Sequence, residues 1–122
     1  MKDIILKRVY DAKEKDETYR ILVDRLWPRG MKKEDLHFDE WDQEITPSQE
    51  LRLWFAHKEE RYEEFSKRYL EELKTKTEEV TRLRNIAKDK PLTLLYAAKD
   101  PVINHAVILK SFLEKGSTKT LK

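Results

Sequence analysis

Cysteine is missing from the 122-residue chain. Disulfides, thiol catalysis, Cys-ligated zinc and iron–sulfur clusters are excluded with it, and the lack fits a cytoplasmic protein. Glycine is scarce, with two residues in all, so no Gly-rich loop can cradle a phosphate. No apolar run approaches the ~20 residues that span a bilayer. Residues 1–7 lack a signal-peptide apolar stretch, and no membrane partner is expected. Neither sign of charge dominates: 26 basic and 24 acidic residues leave a formal net charge of +2. Bulk charge therefore makes no case for nucleic acid as a partner. There is no Gly-x-Ser-x-Gly elbow, and Ser48 lies in a helix-capping stretch, so serine nucleophile chemistry has no support.

What is present suits one folded domain. The chain is 39% hydrophobic and 41% charged, too apolar and aromatic for disorder. Residues 1–116 are expected to form a single α/β domain and residues 117–122 a flexible C-terminal tail. Residues 4–9 alternate as a strand does, with Ile4 and Leu6 opposite Ile5. Residues 11–18 are polar and aperiodic. Residues 19–23 form a second strand, and its run Ile21-Leu22-Val23 can be buried on both faces, as inside a parallel sheet. The linker is short for a parallel crossover. Two readings of the pair stay open, a wide antiparallel hairpin or neighbours joined by a tight irregular crossing.

Residues 32–36 suit a short helical turn, and residues 38–45 give a weak strand signal. A helix start follows, with Thr46 as N-cap, Pro47 at the first position, and Leu51, Trp54 and Phe55 on one face. A second helix spans residues 59–76, striped by Tyr62, Phe65, Tyr69 and Leu73. Val80, Leu83 and Ile86 mark a third, stopped by Asp89-Lys90-Pro91. Residues 92–97 read as a central strand. Asp100 can cap a last helix with Pro101 at its first position, Val102, Ala106, Leu109 and Leu113 on one face, and Gly116 as its stop. The pattern predicts a small open, mainly parallel α/β sheet of three or four strands with helices packed on its faces.

Polar chemistry concentrates where two strands end. The first ends in Asp24-Arg25-Leu26-Trp27-Pro28-Arg29-Gly30, where Pro28 cannot donate to a ladder and Gly30 can adopt angles closed to other residues. The late strand ends in Ala97-Ala98-Lys99-Asp100-Pro101. Ligands of open α/β sheets bind outside the carboxyl ends of the strands. If the two strands are parallel neighbours, Arg25, Arg29, Lys99 and the N-terminus of the last helix converge on a site for an anion. Trp27, Trp54 or Tyr96 would supply an apolar wall, with Asp100 and Asn104 at the helix start. A purely structural reading stands beside this one. Arg25 and Arg29 can pair with Asp24, Glu40 or Asp42 to anchor the turn, capping accounts for Asp100, and Trp27 can be core. Most tyrosines and tryptophans fit the core or its edge.

His57 and His105 are the candidate acid–base groups. His57 follows a helix, where a cation is stabilised, so capping alone can explain it. His105, near a helix N-terminus, is biased toward the neutral form that suits a general base. With His37 they make three widely spaced histidines without a local ligand pair, and no metal site is expected. No cofactor is indicated.

The motifs, taken together, resemble a known family. Lys7-Arg8-Val9-Tyr10, the run Tyr19 through Trp27-Pro28-Arg29-Gly30, Pro47-Ser48, Leu51-Arg52, Trp54-Phe55, His57, Arg61, Phe65, Tyr69, Thr93-Leu94-Leu95-Tyr96-Ala97-Ala98, Asp100 and Asn104-His105-Ala106 look like the YeaO-like family of the DUF488 (domain of unknown function) group. The resemblance implies a compact bacterial or archaeal α/β domain and supplies no established reaction. Some broader members look as though they carry a cysteine and a further arginine near the end of the late strand. Here that place reads Ala97-Ala98-Lys99, so a thiol mechanism does not carry over. Some relatives are labelled transcriptional regulators, but no helix-turn-helix with a basic recognition helix is present.

Two functional readings follow. One is a pocket that recognises a small anionic or phosphorylated ligand. The other is a non-catalytic regulatory or nucleic-acid-binding module using a basic strip of Lys32, Lys33, Arg82, Arg84 and Lys88. An exposed Trp54-Phe55 edge would further allow subunit pairing.

Overall fold

A computed structural model of the chain describes residues 1–119. Four strands, β1 (Ile4–Arg8), β2 (Tyr19–Leu22), β3 (Glu40–Trp41) and β4 (Leu92–Tyr96), form one sheet in the order β1-β4-β2-β3. Every pairing is parallel. The helices are α1 (Gln49–Phe55), α2 (Tyr62–Thr75), α3 (Thr77–Asp89) and α4 (His105–Lys119). This is the small α/β sheet that the pattern predicts. Among the described residues no helix is long and apolar enough to cross a membrane.

Neither reading of the first strand pair holds. β1 and β2 run parallel and do not touch, because β4 lies between them, with Ile4 and Tyr19 both in register with Leu92. The linker crosses β4 without an α-helix, using one 3-10 turn, Val9–Asp11. Arg20, 2% exposed, holds it down by donating to the carbonyls of Ala12 (2.8 Å) and Glu14 (3.1 Å). A buried guanidinium in β2 stabilises a connection that its local sequence does not announce.

Alternation along the strands sorts two cores. Ile21 and Val23, with Leu92, Leu94 and Tyr96, face one side, where all four helices pack. Leu22 and Leu95 face the other, which is covered by loops through Val9, Ala12, Met31 and Leu36. Because both faces are covered, all five residues of β4 are buried, which accounts for its unbroken apolar sequence. Phe65, Tyr69 and Leu73 are the buried stripe of α2, at the spacing of one helical face. Tyr69 is fully buried and donates its hydroxyl to the Ile45 carbonyl at 2.6 Å.

Both expected helix caps move. Ser48, not Thr46, caps α1: its hydroxyl accepts from the Leu51 N–H at 3.1 Å, while Thr46 donates to the Gln43 carbonyl. Asn104, not Asp100, caps α4, accepting from the Val107 N–H at 3.1 Å. Asp100 instead closes a separate turn, accepting from the N–H groups of Val102 and Ile103. Pro101 and Val102 therefore lie before the helix, and Val102 is 62% exposed. α4 runs past Gly116 to Lys119. Residues 120–122 of the expected tail lie outside the described residues.

Replacing Asn104 by Ala removes the cap and is expected to lower unfolding free energy by about 1 kcal/mol. Urea titration checks it, and an equal or larger loss with Asp100→Ala would return the cap to Asp100.

Candidate functional site

The connections after β2 and β4 leave the sheet in different directions. One proceeds to β3 at one edge, and the other enters α4, which packs over β1 near the opposite edge. Strands whose connections part this way open a crevice at their carboxyl ends. A cavity of about 660 Å³ lies there.

Asp24 ties the two loops together at the root of the crevice. Its Oδ2 accepts from the Ala97 N–H at 2.9 Å. Its Oδ1, sealed from water and without a well-aligned donor, lies 3.3 Å from His105 Nε2. His105 Nε2 is also 2.6 Å from the Val23 carbonyl. Both neighbours of that nitrogen are acceptors, so Nε2 is the donor of the group. His105 is the first residue of α4, not one turn inside it.

The Trp-Pro-Arg-Gly bend is held by side chains that satisfy its carbonyls. Trp41 Nε1 donates to the Asp24 carbonyl (2.6 Å), Gln43 Nε2 to that of Arg25 (2.9 Å), and the Tyr10 hydroxyl to that of Arg29 (2.6 Å). Trp27 Nε1 donates to Met31 O at 2.6 Å, and its ring meets Phe38 and Trp41 edge-on, each at 5.6 Å. Gly30 has φ +76°, the left-handed region that favours glycine. None of this anchoring uses an arginine–acid pair. Arg25 Nε donates to the Pro47 carbonyl at 3.0 Å, while Glu40 and Asp42 pair with Arg82.

Eight of the ten sequence-chosen residues line the cavity: Arg25, Trp27, Arg29, His57, Lys99, Asp100, Asn104 and His105. Two do not. Tyr96, 4% exposed, points into the helix-side core. Trp54 lies on α1 between the guanidiniums of Arg61 and Arg68, 5.2 and 4.4 Å from its ring. Phe55 is 5% exposed, so the apolar edge expected for subunit pairing is largely covered.

The sequence reading missed Asp24 as a site residue, and also Arg52, Glu59, Phe55, Phe65, Ala98 and Ile103, which share the lining. Asp24 had a signal, the acid that ends a buried strand. Arg52 had only its place in the Leu51-Arg52 motif, being otherwise one more polar residue on an amphipathic helix. Its Nε is buried without a hydrogen-bond partner among the described residues.

Four permanent cations, Arg25, Arg29, Arg52 and Lys99, thus border the cavity beside three carboxylates, Asp24, Glu59 and Asp100. Asp24 and Asp100 are already engaged by N–H groups, and the Ile103 and Val102 N–H groups hold the Asp100 pKa below its ordinary value. Engagement of the Val102, Ile103 and Val107 N–H groups by Asp100 and Asn104 also makes the start of α4 a weaker anion site than expected. His57 reaches the rim from a strained turn, with Ala56 and His57 at φ +48° and +57°.

A second polar cluster lies elsewhere. Oxygens of Glu40, Asp42 and Glu79 lie within 4.8 Å of one another, a possible metal ligand set. Arg82 already sits among them, 2.5 Å from Glu40, 2.7 Å from Glu79 and 3.3 Å from Asp42. Burial, then the hydrogen bond to Glu79, pushes the Asp42 carboxyl up to about 7, whereas Arg82 holds Glu79 below its ordinary value.

Two measurements test this geometry. Asp24→Ala strands the Ala97 N–H and is expected to cost roughly 1–3 kcal/mol of stability; an unchanged urea midpoint would show that the loops hold without it. Asp42 with a raised pKa keeps a proton that the unfolded chain releases. Its contribution is full below pH 3.8 and drains as pH rises to about 7. Glu79 acts oppositely, losing its stabilisation as pH falls. Asp42→Asn should therefore remove the decline in stability between about pH 4 and pH 7, read by paired urea titrations.

Comparison with known proteins places the chain in a family. The family model described as the inactive DUF488-N3 subclade matches residues 3–121. The uncharacterised protein YeaO of Escherichia coli (strain K12) is 55% identical over 111 residues, covering 91% of this chain and 96% of its own. Uncharacterised proteins of Mycobacterium bovis and Mycobacterium tuberculosis are 37% identical over 106 residues, 87% of this chain and 89% of theirs. No solved structure matches. The chain is a YeaO-like member of the DUF488 family, in the subclade described as inactive.

Proposed function

We propose that this protein, acting in the bacterial cytoplasm, binds a small anionic or phosphorylated ligand in the cavity at the carboxyl ends of β2 and β4. The observation that carries the reading is the meeting of two distant loops at one rim. Arg25 and Arg29 come from one, Lys99 from the other, and Arg52 joins them from α1. In a recess, guanidiniums bind carboxylate or phosphate with more specificity and strength than on an open surface.

Binding without covalent chemistry is the favoured form. The chain has no cysteine. The hydroxyls of Tyr10 and Thr46, which line the cavity, are donated to the carbonyls of Arg29 and Gln43. The description of the subclade as inactive supports the same reading. The basic-strip alternative loses two members: Arg82 is held by three carboxylates, and Arg84 donates to the carbonyls of Phe112 and Leu113.

A thermal-shift screen with inorganic phosphate, sugar phosphates and nucleotides tests the proposal. At least one anion should raise the Tm by several degrees near saturation, and Arg25→Ala/Arg29→Ala should abolish that increment. No shift with any anion would reject it.

A further inference from the structure

The helix-side half of the cavity is aromatic. Phe55 and Phe65 line it with their rings stacked 4.2 Å apart at 18°. Tyr69 continues the series 6.1 Å beyond Phe65, and the His57 ring lies 6.1 Å from Phe55. Ala98 and Ile103 pack against the helix-side core that contains these phenylalanines and line the same hollow. Alanine at 98 matters here, because strand alternation sends Ala98 to the same side as Leu94 and Tyr96, where a larger side chain would fill the space.

The cavity is thus too large and too apolar for its charges alone. A volume of about 660 Å³ falls in the range of pockets that enclose drug-sized organic ligands, not single inorganic ions. Phe55 and Phe65, 5% and 2% exposed, give that space an apolar aromatic wall, against which a ligand ring can pack edge-on.

Resting on the anion-binding reading, we propose that the ligand carries its anionic group on a flat aromatic body. That body seats against Phe55 and Phe65 beside Ala98 and Ile103, and the anion lies toward Arg25 and Arg52. The ligand class is therefore an aryl or heteroaryl phosphate or carboxylate. Aromatic faces supply affinity by burial, and the guanidiniums select the charged members of the class.

Calorimetric titration of the full chain with 1-naphthyl phosphate, 1-naphthol and inorganic phosphate separates the two claims. The aryl phosphate should bind about tenfold or more tighter than either fragment. In the same protein, ring currents should shift the Ala98 and Ile103 methyl resonances, which needs no substitution. Inorganic phosphate binding as tightly as the aryl phosphate would overturn the aromatic body and leave the anion site standing. Naphthol binding as tightly as the aryl phosphate would overturn the anion site instead. Methyl shifts confined to other parts of the chain would overturn the seat, and no binding by any of the three would overturn both claims.

Discussion

One hydrogen bond organises this end of the molecule: the Asp24 carboxylate accepting from the Ala97 N–H. Past the end of a parallel ladder, backbone N–H groups lose their strand partners and must find others. Asp24 supplies one for β4, and the Val23 carbonyl receives His105 from the first residue of α4. Two stretches distant in sequence, the end of β2 and the run from β4 into α4, are thereby joined at one point. The connections leaving that point diverge, so they are fixed at their root and apart at their rim. The hollow follows from that topology.

The arginines differ between the two polar clusters for a physical reason. Arg82 is surrounded by Glu40, Asp42 and Glu79, so its charge is cancelled within the fold. Carbonyls of the Trp-Pro-Arg-Gly bend are instead satisfied by neutral donors from Trp41, Gln43 and Tyr10. Holding the bend consumes only one contact from its arginines, Arg25 Nε to Pro47. Among the described residues the other guanidinium donors of Arg25 and Arg29 make no hydrogen bond, and both side chains border the cavity.

Much of this was legible in the sequence because burial leaves periodic traces. The apolar run of β4, the stripe Phe65-Tyr69-Leu73 and the breaker at Pro91 each report an element through local composition. What escaped reading depends on contacts distant in sequence. Strand order is set partly by Arg20 holding the crossing linker, and a lone arginine in a strand carries no mark of that. Both helix caps were misplaced by two to four residues, because Thr46, Ser48, Asp100 and Asn104 are all competent capping types and geometry chooses among them. The rule for strand ends brings Arg25, Arg29 and Lys99 together, and all three line the cavity. Arg52 falls outside that rule, since its approach depends on how α1 lies against the sheet. Trp54 and Tyr96 were chosen as aromatic residues near the right places. The first is covered by two arginines, and the second points into the core by strand parity.

The cavity has two sides of different chemistry, and the sheet explains why. β4 ends between the two cores, so successive residues look into different halves: Ala97 packs against the loop-side core, and Ala98 against the helix-side core that holds Phe55 and Phe65. A single edge of backbone thus separates a rigid tryptophan cluster from a stacked phenylalanine pair, with guanidiniums bordering the space. Small side chains at both positions keep the edge thin. An Asp–His contact at its root resembles the orienting half of an acid–base pair, yet the neighbouring hydroxyls are donated to carbonyls and there is no thiol. The chemistry that borders the space is therefore that of guanidiniums, carboxylates and imidazoles set against apolar rings.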